Sequence, residues 1–188
     1  MLSESVTSIT RDADFIFENT PVRVMAIRST SGIQLAGLNV GPFEEGNEYQ
    51  VKFWVAQELE RAGIVRIRGD VLDLAKLYKI QWVERVQSVS QLSTLPKDFY
   101  PKLRRLLADL RESSRSDPQK LEEYEHARRL SQDVVNCRLK KIVSLASTPG
   151  QKSQVLKNLT VEEREFYERL NKIITDWRDN IIEMAKEP

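Results

Sequence analysis

Few residues of this sequence have side chains that could carry out chemistry. The 188 residues include one histidine, His126, and one cysteine, Cys137. His126 lies in the mixed-charge run Glu122–Arg129, where it could act as a general base beside carboxylates. A solvent-exposed helix residue is the stronger interpretation, because no other reactive side chain accompanies it. Cys137 stands in an apolar stretch, which predicts a buried, unreactive thiol.

The same scarcity limits the possible metal sites. One cysteine excludes a disulfide framework and a cysteine-rich zinc site. One histidine leaves few routes to a histidine-based metal site. Glu44 and Glu45 precede Gly46 and could in principle bind a cation, but an exposed acidic turn explains them better. We therefore expect no metal-binding residue.

Two glycine-containing segments resemble nucleotide-binding motifs only superficially. Gly150–Ser153 lacks the adjacent Gly-Lys-Ser/Thr sequence, the earlier glycine and the preceding strand of a phosphate-binding loop. Gly37–Gly41 lacks the third glycine and the following helix of a dinucleotide-binding fingerprint. A hydrolase would need a pair of carboxylates in a cleft, which the sequence does not indicate. The sequence thus predicts no catalytic residue, no cofactor and no enzymatic activity.

The charge balance bears on nucleic acid and on membranes. With 29 Lys and Arg against 28 Asp and Glu, the formal net charge is +1, which argues against a dedicated nucleic-acid binder. No run of about 18 apolar residues could span a membrane. The N-terminus lacks the basic and then apolar regions of a signal peptide. We therefore expect a soluble, cytoplasmic protein without a membrane partner.

Basic clusters on the later helices keep one alternative open, a DNA-binding module that uses basic helix faces. Such clusters could contact phosphates, but each sits on a helix between apolar positions and the overall charge is balanced, so solvated helix faces are the stronger interpretation. The clusters are Lys102 with Arg104 and Arg105, Arg128 with Arg129, and Arg138 with Lys140 and Lys141.

The first third of the chain is typical of a small β-rich domain. Five of the seven glycines lie before residue 64, between short β-type runs. Strands are predicted at 22–28, 34–40, 48–52 and 64–67, with a short helix from Trp54 to Ala62 that Gly63 ends. Phe15–Phe17 is interpreted as an extra strand or a packing arm. Residues 1–69 carry 7 Lys and Arg against 9 Asp and Glu, a net charge of −2.

From Asp70 onward the apolar spacing becomes helical. Asp70 is a candidate N-cap, Asp117-Pro118 begins a long helix, and Thr160 with Glu163 forms a capping box before the last one. Residues 118–147 would form a rod of about 45 Å. Residues 70–188 carry a net charge of +3. The predicted fold class is α+β, with a small N-terminal β-rich domain over 1–69 and a larger all-α helical-bundle domain over 70–188.

The last helix carries the candidate functional residues. Two helices that approach 30 residues are long for a domain of this size and would bury their apolar faces best against another subunit. This favours a structural interaction protein over a monomeric domain. The predicted subunit-interface residues are Phe166, Tyr167, Leu170, Ile173, Ile174, Trp177 and Ile181.

Several segments, taken in order, carry a family resemblance. Ile33–Ile67 resembles the small β domain of GINS subunits, which are components of the replicative helicase complex of archaea and eukaryotes. The shared features are a glycine and acidic turn, a strand, a short helix led by Trp54 and a closing Gly-Ile-Val strand. Leu95–Tyr100 and Leu159–Tyr167 are similar to segments of the helical part. Lys52-Phe53 departs from the family, whose members often carry a Leu-Pro-like pair there.

The resemblance covers most of residues 22–186, and the domain order is informative. The β domain comes first, as in the archaeal GINS subunit related to the second and third eukaryotic partner subunits. The resemblance implies a non-catalytic subunit in DNA replication initiation and elongation that scaffolds and activates the MCM helicase. It also implies a 2:2 heterotetramer with the second GINS subunit type, and docking on the MCM helicase and a RecJ-like protein. DNA contact would be indirect or weak, and the protein would be nucleoid-associated in the cytoplasm of an archaeon.

Overall fold

The computed structural model describes residues 2–35, 37–69, 71–88, 91–115, 117–148 and 153–184. The chain divides into two compact units. The helical unit comprises Met1–Thr10 and Leu72–Pro188, and the sheet unit comprises Arg11–Val71. A small sheet region is therefore followed by a larger helical region, which confirms the predicted fold class. The division lies two residues beyond the expected boundary at 69 and 70, and the first ten residues group with the helices.

The sheet unit is built on a three-stranded antiparallel sheet. The strands are β1 (Pro21–Ala26), β4 (Glu48–Lys52) and β5 (Val65–Arg68), and β1 lies between the other two. Alternate residues of β1 point inward and bury Val24 and Ala26. Helix α2 (Phe53–Arg61) packs its buried residues onto the same core. The core residues are Val24, Ala26, Phe43, Val55, Ala56, Leu59, Ile64 and Val65.

Two N-terminal features differ from the expectation. Phe15–Phe17 is not an extra strand, because it lies in helix α1 (Leu2–Glu18), where Phe17 packs on Phe53 at a ring-centroid distance of 4.5 Å. The single strand predicted over 34–40 is a hairpin of β2 (Ile33–Leu35) and β3 (Leu38–Val40). Gly37 allows the reversal because its φ of 81° lies in the left-handed region.

The helical unit is organised around one long central helix. Its helices are α3 (Leu74–Val86), α4 (Phe99–Ser113), α5 (Pro118–Ser147), α6 (Ser153–Leu156) and α7 (Val161–Met184). Helices α3, α4 and α7 all pack against α5. One apolar cluster surrounds the N-terminal half of α5, and a second surrounds its C-terminal half. The predicted helix over 118–147 is confirmed. No described helix is long and apolar enough to cross a membrane.

The helix starts follow the capping chemistry, with one difference. Asp117 accepts a hydrogen bond from the N–H of Gln119 at 2.9 Å, as expected for the N-cap of α5. The capping box of α7 is also confirmed. The N–H of Glu163 donates to Oγ1 of Thr160 at 3.2 Å, and the N–H of Thr160 donates to Oε2 of Glu163 at 3.0 Å. Asp73 caps α3, whereas the expected cap at Asp70 falls outside the described residues.

Candidate interaction surface

The residues considered for chemistry are scattered. His126 is exposed on α5, and Cys137 is half-buried rather than fully buried as expected. Glu44 and Glu45 lie in an exposed turn, as predicted. Gly150–Lys152 falls outside the described residues. In the part of the chain that the structure describes, no three His, Cys, Asp or Glu side chains are grouped to hold a metal ion.

The basic cluster on the C-terminal half of α5 corrects one expectation. Arg128 and Arg129 are exposed as predicted, but Arg138 and Lys141 are only 0% and 3% exposed. The prediction of a solvated face was therefore wrong for these two cations. They point inward because they share a helix face with the buried apolar residues of α5 and lie opposite two buried carboxylates, Glu84 and Glu163.

The guanidinium of Arg138 donates from every N–H group. Nε donates to Oε1 of Glu163 at 2.8 Å, and Nη2 donates to Oε2 of Glu163 at 2.6 Å, so this ion pair is bidentate. Nη1 donates to Oε1 of Glu84 at 3.1 Å and to the Ser93 carbonyl at 2.8 Å. Nη2 also reaches the Asn158 carbonyl at 3.2 Å. Five donors with five acceptors remove the cost that a buried unpaired donor would have.

The remaining groups complete a four-charge network, defined as Glu84, Arg138, Lys141 and Glu163. Nζ of Lys141 donates to Oε2 of Glu84 at 2.7 Å. The hydroxyl of Tyr100 donates to Oε1 of Glu163 at 2.7 Å. Two cations thus balance two carboxylates inside the helical unit. The network joins α3, α5 and the start of α7, and the Tyr100 hydroxyl links α4 to it, so it helps to fix the position of α7 in the bundle.

The surroundings shift the pKa values of Glu84, Arg138 and Tyr100. Burial by itself raises the pKa of Glu84, but hydrogen bonds from Lys141 and Ser93 and the charge of Arg138 outweigh it, so the pKa falls below its ordinary value. Burial by itself lowers the pKa of Arg138, but the hydrogen bonds and the charge of Glu163 outweigh it, so the pKa rises above its ordinary value. Burial and the Glu163 carboxylate raise the pKa of Tyr100 well above its ordinary value. Near neutral pH, the Tyr100 hydroxyl is therefore a neutral hydrogen-bond donor to Glu163.

We expect the stability advantage of the wild-type chain over a Glu84→Gln variant to shrink as the pH falls below the ordinary Glu value of 4.5. A carboxyl group with a lowered folded-state pKa takes up its proton first in the unfolded state. Its contribution is therefore present above the unfolded pKa and is lost as the pH falls through the folded pKa. Thermal unfolding from about pH 7 to pH 3 measures this. A stability difference between the wild-type chain and the Glu84→Gln variant that stays constant across that pH range would contradict this prediction.

Two hydrogen bonds define how α7 runs along α5. Arg138 bonds to Glu163, and the side chain of Asn171 donates to the Ala146 carbonyl at 3.0 Å. Both pairs are 25 residues apart in sequence, so the two helices run parallel and in a constant register. Because α5 ends at Ser147, the register places α7 beyond the end of α5 from Ile173 onward, and only the long Arg178 side chain is seen to reach back to the Ser147 carbonyl among the described residues. These residues, 173–184, span about 18 Å and are called the α7 overhang.

The register divides the predicted interface stripe into two parts. Phe166 and Tyr167 are partly buried against the apolar cluster of the bundle, and Leu170 and Ile174 are half-buried. Ile173, Trp177 and Ile181 follow at intervals of four residues and are exposed, Trp177 at 67%. Ile182, which the sequence prediction left out, is exposed with them. It lies next to Ile181 on the helix, so a wider apolar stripe of the kind found on surface helices would have included it.

Two further large side chains of the helical unit lie on the surface. Tyr78 and Trp82 of α3 are both more than half exposed. Their spacing of four residues places them on one face of α3. The inward face of α3 is formed instead by Leu77, Gln81 and Glu84. Polar residues occupy it because the four-charge network and Asp133 provide their partners.

Comparisons with known proteins agree with this organisation. The family model described as the GINS complex protein helical bundle domain matches residues 71–182. The model described as the PSF2 N-terminal domain matches residues 10–68. A comparison with curated proteins found no match. Since the helical-bundle model covers more than half of the chain, and the N-terminal model precedes it, the chain belongs to the GINS family as a subunit related to PSF2 with its N-terminal domain first.

Proposed function

We propose that this chain is a non-catalytic structural subunit of an archaeal GINS complex, acting in DNA replication initiation and elongation as a scaffold and activator of the replicative MCM helicase. Both family models support assembly with other GINS subunits, and the GINS family consists of non-catalytic subunits of a structural complex. The observation that carries the proposal is the exposed apolar face of the α7 overhang. The finer roles rest on the family resemblance.

The overhang has the chemistry of a subunit interface. Trp177 is an aromatic side chain of the type that dominates binding energy, and Ile173 and Ile181 extend its apolar surface by one helical turn in each direction. A facing helix from another subunit would bury this stripe by ridge-and-groove packing. The second GINS subunit type is the proposed occupant, in a 2:2 heterotetramer. The four-charge network holds the base of α7 and so presents the overhang in a fixed direction.

The alternative of a DNA-binding module has less support. Two of the cations that would have contacted phosphates, Arg138 and Lys141, are used inside the bundle. An exposed, unpaired cation is the group that releases counterions when it meets a phosphate. The remaining basic positions are interspersed with acidic partners, such as Arg105 with Asp109 at 3.1 Å. We therefore propose that any DNA contact is indirect or weak.

Co-expression with the second GINS subunit type tests the assembly. We expect light scattering to give the mass of a 2:2 complex, whereas the chain alone, of 21.8 kDa, is expected to behave poorly in solution. The reason is that the partner covers apolar surface that the chain otherwise exposes. Two separate monomers after co-expression would overturn the assembly.

The same preparation, added to purified MCM helicase and to a RecJ-like protein, is expected to co-elute with each and to raise the helicase rate.

A further inference from the structure

A second surface of the helical unit lies between α3 and the N-terminal half of α5. It is a groove of about 600 Å³, which is within the size range of known ligand pockets. We call it the α3–α5 groove. Tyr78, Trp82 and Val86 of α3 line one side of it, and Arg129 and Asp133 of α5 line the other. The groove takes no part in the α7 overhang.

One wall of the groove is an exposed apolar stripe. Tyr78, Trp82 and Val86 recur every fourth residue of α3 and are all more than half exposed, Trp82 at 58%. Tryptophan and tyrosine are enriched among the residues that dominate binding energy at protein interfaces, because each buries a large area at a low entropy cost. A stripe of this kind on a helix of a folded bundle is therefore suited to bind a large apolar side chain.

The opposite wall carries the charge that selects the occupant. Its carboxylate, Asp133, is already engaged by Nε2 of Gln81 at 3.1 Å and by Nη1 of Arg85 at 4.0 Å. Arg129 is exposed, and among the described residues no carboxylate pairs with it. The groove thus offers a guanidinium with all its donors available and no free acid. Charge complementarity calls for an acidic group on the occupant.

We propose that the α3–α5 groove binds an acidic peptide segment of another polypeptide. A large apolar side chain of that segment packs on Tyr78 and Trp82, and a neighbouring Asp or Glu pairs with Arg129. Nucleic acid fits less well, because a phosphate chain needs several free cations and would also meet Asp133. The groove lies far from the overhang, since Arg129 precedes the end of α5 by about 27 Å of helix. The groove and the overhang are formed by different helices and share no residue, so this proposal goes beyond the assembly role.

Selection of random displayed peptides of about twelve residues on the full chain tests the proposal. We expect enrichment of sequences in which Leu, Phe or Trp lies within a few positions of Asp or Glu. Binding of a fluorescein-labelled selected peptide is then measured by anisotropy. Trp82→Ala and Arg129→Glu are each expected to weaken it by at least about tenfold. Trp177→Ala, on the overhang, is the matched control and should leave it unchanged.

A charge exchange makes the assignment stricter. The selected peptide with its acidic residues replaced by lysine should bind Arg129→Glu more tightly than it binds the wild-type chain. Both variants alter exposed side chains, and unchanged circular dichroism melts verify that they fold. The proposal is overturned if no acidic and apolar sequences are enriched, or if the variants bind the peptide as well as the wild type. It is equally overturned if a labelled oligothymidine occupies the groove in a Trp82-dependent manner, or if Trp82→Ala abolishes a dimer of this chain.

Discussion

Replacing Arg138 by methionine is expected to lower the free energy of unfolding by about 3–5 kcal/mol. Methionine fills much of the volume but removes the cation that pairs with both Glu84 and Glu163. Lys141 still neutralises Glu84, whereas Glu163 keeps a buried charge with only neutral donors around it. Chemical denaturation followed by circular dichroism measures the loss.

A neighbouring lysine provides the control for this substitution. Lys140→Met changes an exposed side chain on the same helix and should alter stability by less than about 0.5 kcal/mol. The double variant Arg138→Met with Glu163→Leu removes one charge of each sign and keeps the Lys141–Glu84 pair. It should be more stable than the sum of the two single variants predicts, by at least about 1 kcal/mol. Additive effects, or a loss as small as that of Lys140→Met, would show that the network does not hold the bundle.

Replacing Trp177 by alanine is expected to weaken assembly with the second GINS subunit type by about thirtyfold or more, corresponding to about 2 kcal/mol. The stability of the isolated chain should not change, because the Trp177 side chain is 67% exposed and supports little of its own fold. Titration of the partner subunit, followed by calorimetry or anisotropy, measures the affinity.

Phe166 separates assembly from folding. It lies on the same helix but is partly buried against the bundle, so Phe166→Ala is expected to lower the melting temperature of the chain itself. If Trp177→Ala lowered the melting temperature as much as Phe166→Ala does, the overhang would belong to the fold. If it left the affinity intact, Trp177 would lie outside the interface. Either result would remove the α7 overhang as the assembly surface.

Local signals were sufficient for α5 and for the start of α7. The apolar spacing of α5, with Asp117 and Pro118 before it, predicted its bounds, and the Thr160–Glu163 capping box predicted the start of α7. These signals succeed because a helix and its cap are set by residues within one turn of each other. The hairpin at Gly37 was missed, since a short glycine turn inside an apolar run reads as one continuous strand.

Burial of charge could not be derived in the same way. Arg138 is 54 residues from Glu84 and 25 from Glu163, so no local pattern pairs them. The sequence did contain one indication of this burial. One face of α5 carries two apolar and two basic residues, and all four are buried: Val134, Arg138, Lys141 and Leu145. The division of the α7 stripe into a partly buried and an exposed part could not be predicted from the sequence either. It depends on the register of α7 against α5, which neither helix encodes alone.

The parallel register gives α7 the mechanics of a cantilever. Its first three turns are clamped to α5, through the bidentate Arg138–Glu163 pair at one point and the Asn171–Ala146 bond at another. Nη2 of Arg178 reaches back to the Ser147 carbonyl at 2.9 Å and acts as a strut at the edge of the clamp. A load on the free end at Trp177 and Ile181 therefore becomes torque on the clamped segment. The buried Arg138–Glu163 pair lies at the opposite end of the segment held by α5. The hydrogen bonds of Arg138 run in several directions, so they oppose both sliding and rotation of α7.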